Sequence, residues 1–236
     1  MASTGFSLDL AIKAIRDIGF YYEVDPELET PLTEMGPQSC LSAEGLDFFR
    51  RHVLQDKRAR SILESFFPWC SLARYRKFHS DAGHIFQFRG GGEKAGRQVL
   101  VIQLWGNGSQ VTFFGRSHTY ELPGVHASNG LWEIPFAALE TTGCGEGSEI
   151  KFENGGLTIQ DARVAFEIKK GTPIATVFAT RDVITRWAKV VLPGSPQIAE
   201  KIAELQRESP RIGYHFEYDL KKRLFYTCHS MVFIVG

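Results

Sequence analysis

The sequence lacks the features that mark two large classes of protein. Its 27 Lys and Arg residues equal its 27 Asp and Glu residues, so it has no basic surplus of the kind that neutralises nucleic-acid phosphates. No apolar run approaches the ~20 residues of a membrane-spanning helix, because the longest strongly apolar run is residues 231–235. We therefore expect neither a nucleic acid nor a membrane as a partner.

Cysteine is also scarce, and the cysteines that occur are far apart. Cys40, Cys70, Cys144 and Cys228 form no C-x-x-C pair, which excludes zinc ribbons and zinc fingers and predicts free thiols in a reducing compartment. The N-terminus has neither the basic nor the apolar segment of a secretory signal. Together these absences predict a cytoplasmic protein.

The chain is organised as helices, then strands, then helix again. Apolar residues recur at helical spacing in the first 70 residues, after the capping residues Ser7, Ser42 and Asp56. Short strands joined by turns follow, with a strong hairpin signal at residues 106–109. Ser195-Pro196 then begins another helix. The sequence predicts one α+β domain, 1–236, with N-terminal helices (1–70), a β core (72–182) and a C-terminal helix and hairpin (195–236).

A histidine and an aspartate stand two residues apart where a predicted strand breaks into a turn. The imidazole of His79 and the carboxylate of Asp81 can both approach one point, as two arms of a 2-His-1-carboxylate iron site do. Tyr75 and Lys77 share the strand face that leads to His79. His118 ends a later strand, from which it could line the mouth of a cavity.

Residues 156–168 are predicted to form one long strand with two distinct faces. Period two puts one set of side chains toward a cavity, with Thr158 and Gln160 as polar groups and Phe166 as an apolar wall. Asp161 and Arg163 lie on the other face, where we expect them to pair. In another apolar strand, Gln103 shares a face with Trp105. A buried amide needs partners, which neighbouring backbone or a ligand could supply.

The order of these signals resembles a known family. From about Tyr75 to Asp182, the layout resembles the double-stranded β-helix (jelly-roll, cupin-like) of the iron/2-oxoglutarate oxygenases, and most of all the phytanoyl-CoA hydroxylase-like branch. The resemblance is carried by His79-Ser80-Asp81, by the hairpin from Trp105 to the Gly115-Arg116-Ser117-His118 segment, and by residues 155–163. It implies Fe(II) held by His79 and Asp81, with 2-oxoglutarate as cosubstrate.

Two positions depart from the family pattern. The second iron-binding histidine would fall at Phe166, and the 2-oxoglutarate arginine about a dozen residues later, where no arginine occurs before Arg181. The resemblance therefore implies a degenerate site. The third iron ligand would be water or another histidine (His118, His84 or His229), and a histidine at position 166 would be expected to restore it.

Three functions remain open at this point. The first is a tailoring enzyme of secondary metabolism that uses Fe(II) and 2-oxoglutarate on a small, largely apolar metabolite. The second is a metal-free cyclase or isomerase using acid–base groups such as His79, Asp81, Lys77 or Arg163. The third is a non-catalytic protein that binds a ligand or a partner. The predicted substrate-binding side chains are those of Tyr75, Gln103, Trp105, His118, Thr158, Gln160 and Phe166.

Overall fold

The helices begin where the sequence offers capping side chains. The structure, a computed structural model, describes residues 6–28 and 40–219. Ser7, Ser42, Asp56 and Ser195 each accept a backbone N–H of the first turn that follows. The helices are α1 (Leu8–Asp17), α2 (Ala43–Phe49, continued by a π-helical turn at Arg50–Leu54), α3 (Lys57–Phe66), α4 (Phe136–Thr141), α5 (Arg181–Ile184) and α6 (Pro196–Glu208).

The strands form two large sheets and one small sheet. In chain order they are β1 (Phe20–Val24), β2 (Cys70–Lys77), β3 (Phe86–Gln87), β4 (Val99–Trp105), β5 (Ser109–Phe114), β6 (Val125–His126), β7 (Trp132–Glu133), β8 (Ser148–Phe152), β9 (Gly156–Asp161), β10 (Ala165–Lys170), β11 (Ile174–Ala179), β12 (Val190–Pro193), β13 (Ile212–Tyr214) and β14 (Phe216–Asp219). The first sheet has the order β1-β9-β4-β11-β2-β13, and the second has the order β6-β7-β3-β10-β5-β8.

Nearly all neighbouring strands in the two large sheets are antiparallel. The exception is β13, which pairs parallel with β2, and the small β12–β14 sheet is also parallel. The predicted α+β class is therefore confirmed, and its large sheets are mostly antiparallel.

The first sheet separates two apolar layers. One face packs against the helices, through residues such as Leu100, Ile159 and Phe178. The other face packs against the second sheet, where Val101 and Trp105 belong to one cluster with aromatic side chains of the second sheet. The β core is thus covered by helices on one side and filled by side chains between its sheets.

Residues 156–168 form two strands, where the sequence predicted one. The chain turns at residues 162–164, because Oδ1 of Asp161 accepts the N–H of Arg163 (3.0 Å) and its carbonyl accepts the N–H of Val164 (3.0 Å). The alternation of side chains predicted for residues 156–168 nevertheless holds. Because the two sheets face each other, alternate residues of β9 and alternate residues of β10 point into the interior between them.

The N-terminal segment also differs from the prediction. Within residues 1–70, predicted as helical, residues 20–24 form β1 and extend the first sheet. In the C-terminal segment, β13 pairs with β2 and β14 pairs with β12. Residues 223–235, the second arm of the predicted C-terminal hairpin, lie outside the described residues, so that hairpin stays a prediction.

A buried ion pair fixes the turn between β9 and β10. Asp161 is 1% exposed and Arg163 is 4% exposed. Two guanidinium nitrogens of Arg163 donate to the carboxylate of Asp161 at 2.9 and 2.7 Å, and Nε of Arg97 donates to it at 3.1 Å. The predicted pairing of Asp161 with Arg163 is confirmed. Nη1 of Arg163 also donates to the carbonyl of Gly92, which ties the turn to the loop before β4.

This ion pair yields a stability prediction. Asp161→Asn should lower the free energy of unfolding by about 3–5 kcal/mol, because it leaves the charge of Arg163 buried without a counter-charge. Urea denaturation followed by circular dichroism measures this. The matched control is Glu149→Gln, since Glu149 pairs with Lys151 and Lys169 at the surface and should matter little. Equal losses in the two variants would contradict this account of the turn.

Candidate functional site

The space between the sheets around Phe166 is filled by aromatic rings. Phe166 is fully buried, and its ring lies 5.2 Å from the ring of Phe88 and 6.2 Å from that of Phe113, between centroids. Phe113 in turn stacks on Phe20 at 4.5 Å. The sequence predicts that Phe166 faces a cavity; in the structure its ring points between the sheets and packs among aromatic rings.

The structure does not put His79 and Asp81 opposite Phe166. Both residues are exposed in the loop that follows β2. The strands beside Phe166 are β3 and β5, where Phe86 and Phe113 are its partners in the ladder. The expected position of the pair on an interior wall is therefore wrong. The physical reason is that β2 ends at Lys77 and carries His79 out to solvent before the chain enters the second sheet.

Asp81 does meet a histidine, but a different one. Nδ1 of His84 lies 2.6 Å from Oε1 of Glu133, and Nε2 of His84 lies 3.9 Å from Oδ1 of Asp81. The hydrogen bond with Glu133, and then the charge of Asp81, raise the pKa of His84 above its ordinary value. This exposed cluster connects the β2–β3 loop to β7.

The cluster predicts a pH dependence of stability. The folded-state pKa of His84 is raised, so its contribution is fully present below the unfolded pKa of about 6.5 and is lost as pH rises through the folded value. His84→Asn should therefore lower the urea midpoint at pH 5.5 and leave it unchanged at pH 9. Glu133→Gln should remove most of the same pH-dependent stabilisation, because the hydrogen bond with Glu133 is the main cause of the raised pKa of His84. A deficit in His84→Asn that is constant across this pH range would contradict the ion-pair account.

The described residues do not fit an iron site. Within 6–28 and 40–219, no three His, Cys, Asp or Glu side chains are placed to share a metal ion. Phe166 has no lone pair to donate, and neighbouring β3 carries Phe86 and Gln87. His118 lies at the end of β5, packed beside Gly19, where burial lowers its pKa. His229, another candidate ligand, lies outside the described residues.

Four of the predicted substrate-binding residues are buried on the interior face of the first sheet: Gln103, Trp105, Thr158 and Gln160. Nε1 of Trp105 donates to Oγ1 of Thr158 (2.9 Å), which donates to Oε1 of Gln103 (3.4 Å). Nε2 of Gln103 and both amide atoms of Gln160 have no hydrogen-bond partner among the described residues. Thr158 therefore supplies a partner for Gln103, where the sequence suggested backbone or ligand.

Tyr75 and Lys77 lie away from that interior. The hydroxyl of Tyr75 donates to the carbonyl of Gly45 in α2 (2.8 Å), so its ring belongs to the layer between the first sheet and the helices. Lys77 stands two residues further on the same strand, opposite Ile174 of β11. A substrate site that combines Tyr75 with Gln103 and Gln160 is therefore excluded, because the sheet separates them.

A pocket that the sequence did not predict lies beside β3. It has a volume of about 310 Å³. We call it the β3 pocket, and its lining residues are Gln87, Gly90, Gly91, Glu121, Leu122, Gly124, Trp132 and Ile134. Phe86 points into the interior, so Gln87, the next residue of β3, faces the other side of the second sheet. The pocket therefore lies outside the aromatic core.

Gln87 connects the pocket to the turn between β9 and β10. It is 1% exposed, and its Nε2 donates to the carbonyl of Arg163. A carbonyl can only accept, so this bond fixes the orientation of the amide. Gln87 is the one polar residue in the otherwise apolar run 85–88, and the reasoning that singled out Gln103 could have found it too. Residues 121–134 carry no comparable signal in the sequence.

Comparison with known proteins finds similarity among solved structures alone. No family model and no curated protein matches the chain. It is similar to EvdMO1 (11% identity, TM-score 0.48, covering 74% of this chain and 50% of that chain). It is also similar to HygX from Streptomyces hygroscopicus with iron bound (13%, 0.48, 75% and 88%). A third is the epimerase SnoN in complex with Fe3+, alpha ketoglutarate and nogalamycin RO (14%, 0.45, 73% and 83%).

These likenesses are low in both sequence and structure. The chain spans half the length of EvdMO1. With identities of 11–14% and TM-scores below 0.5, they assign neither an activity nor a ligand to this chain. Separately, none of the helices in the described ranges has the length and apolar character needed to cross a membrane.

Proposed function

We propose that this chain is a metal-independent protein with a double-stranded β-helix fold, which binds a small, largely apolar molecule in the β3 pocket. The strand pairing supports the fold. The segment β2 to β5 pairs antiparallel with the segment β8 to β11, as β2–β11, β3–β10, β4–β9 and β5–β8. Successive strands of each segment alternate between the two sheets. An antiparallel ribbon wound in this way is a jelly roll.

The single observation that carries metal independence is the environment of Phe166. Its ring occupies the position that the resemblance assigns to an iron-binding imidazole, and it packs between Phe88 and Phe113. Aromatic and aliphatic groups offer no ligand for Fe(II), which prefers imidazole and carboxylate. Among the described residues, the interior therefore favours a function without iron, and 2-oxoglutarate would have no metal to chelate there.

The lining of the β3 pocket supports binding more than catalysis. Its volume is near the lower end of the range of small-molecule sites, ~300–1,000 Å³. Leu122, Trp132 and Ile134 supply apolar walls, and among the described lining residues Glu121 alone is titratable. A metal-free cyclisation or isomerisation needs an acid and a base at the same site. For this reason we favour ligand binding over the metal-free enzyme, which remains the alternative.

A titration with uncharged probes tests this proposal. Indole, phenol and cyclohexanol can each fill a small apolar pocket. At least one should give saturable shifts in the ¹H–¹⁵N spectrum of the full chain, including the indole N–H of Trp132. Trp132→Ala should weaken that binding by roughly three- to tenfold, the loss of one aromatic contact.

The matched control is Tyr22→Ala, which removes a half-exposed aromatic ring from the edge strand β1. It should leave the affinity unchanged. Absence of saturable shifts with all three probes would contradict the proposal. Equal affinity in Trp132→Ala and the unaltered protein would also contradict it, because the probe would then bind elsewhere.

A further inference from the structure

Two arginines of β2 point to the same side of the first sheet. Arg74 and Arg76 are alternate residues of the strand, and both side chains are exposed. Their partners in β11 are Val177 and Ala175, which belong to the interior cluster. The two guanidinium groups therefore extend from the interior face of the first sheet at the β2 side of the core.

The turn between β6 and β7 holds both guanidinium groups in place. Nη1 of Arg74 donates to the carbonyl of Gly130 (3.3 Å), and Nη1 of Arg76 donates to the carbonyl of Asn129 (3.1 Å). Each group also lies over an aromatic ring, Arg74 over Trp187 (5.5 Å) and Arg76 over Phe78 (4.7 Å). These contacts order two long side chains before any ligand arrives, which lowers the entropic cost of binding.

No carboxylate neutralises the two charges in the part of the chain that the structure describes. Every ion pair found there involves other residues, for example Arg58 with Glu23 and Arg97 with Asp161. The pKa of Arg74 is lowered by burial and by the positive charge of Arg76, with no acidic group acting against them. Two like charges are thus held near each other, with no counter-charge among residues 6–28 and 40–219.

We propose that Arg74 and Arg76 form a binding site for a phosphate group. Each guanidinium has five N–H donors and uses one of them on the residues that the structure describes, so most donors remain there for a ligand. Two positive charges match the charge of a phosphate monoester, about −1.5 to −2 at pH 7. The planar guanidinium fork suits phosphate oxygens. This site is distinct from the β3 pocket and does not depend on the function proposed for it.

The direct test follows the arginine Nε–H signals of the full chain during titration with inorganic phosphate. Ionic strength is held constant with sodium chloride, so that screening does not change. We expect saturable shifts of the Arg74 and Arg76 signals. Arg74→Gln and Arg76→Gln should each weaken phosphate binding by roughly tenfold or more, the loss of one charged hydrogen-bonding group. Phenyl phosphate in a second arm distinguishes a monoester from the free ion.

The matched control is Arg51→Gln. Arg51 is also exposed, and its Nε donates to the carbonyl of Asp47 in the preceding helix (3.4 Å). This variant should bind phosphate like the unaltered protein. Arg74→Lys keeps the charge but loses the fork, so it should bind with intermediate affinity even if Arg74→Gln fails to fold. Shifts that do not saturate, or equal affinity in Arg51→Gln and both β2 variants, would overturn the proposal.

Discussion

The contact between aromatic rings in the two facing sheets is the interaction on which the architecture of this protein depends. Phe166 and Phe113 come from neighbouring strands of the second sheet, and Phe20 reaches them from the edge of the first. Large aromatic side chains bury much apolar surface and pack at defined centroid distances. Packed between the two sheets around Phe166, they stabilise the fold.

One polar turn, between β9 and β10, connects this core to the neighbouring loop and to β3. Asp161 and Arg163 close the turn between β9 and β10, and Arg163 then contacts the loop at Gly92 through its side chain and Gln87 through its carbonyl. The loop and Gln87 flank the β3 pocket. A single buried ion pair thus connects the turn between β9 and β10 to residues beside the β3 pocket.

Much of this fold could be predicted from local chemistry. The capping residues gave the starts of the main helices, and period two gave the interior position of Phe166 and Gln160. The turn at 162–164 was missed because it contains neither Gly nor Pro, although Asp161 is a turn-forming residue whose side chain stabilises it. The position of His79 could not be derived from spacing, because it depends on how far β2 runs before the chain crosses to the second sheet. The β3 pocket depends on tertiary contacts between residues 87 and 134.

Anaerobic titration of the unaltered 236-residue chain with Fe(II) in the presence of 2-oxoglutarate tests the central claim most directly. The aromatic packing around Phe166 and the exposed positions of His79 and Asp81 predict no stoichiometric iron binding. They also predict that Phe166→His gains no tight site, since His79 and Asp81 do not face that position. One equivalent of tightly bound iron per chain, lost in His79→Ala or Asp81→Ala, would contradict the account.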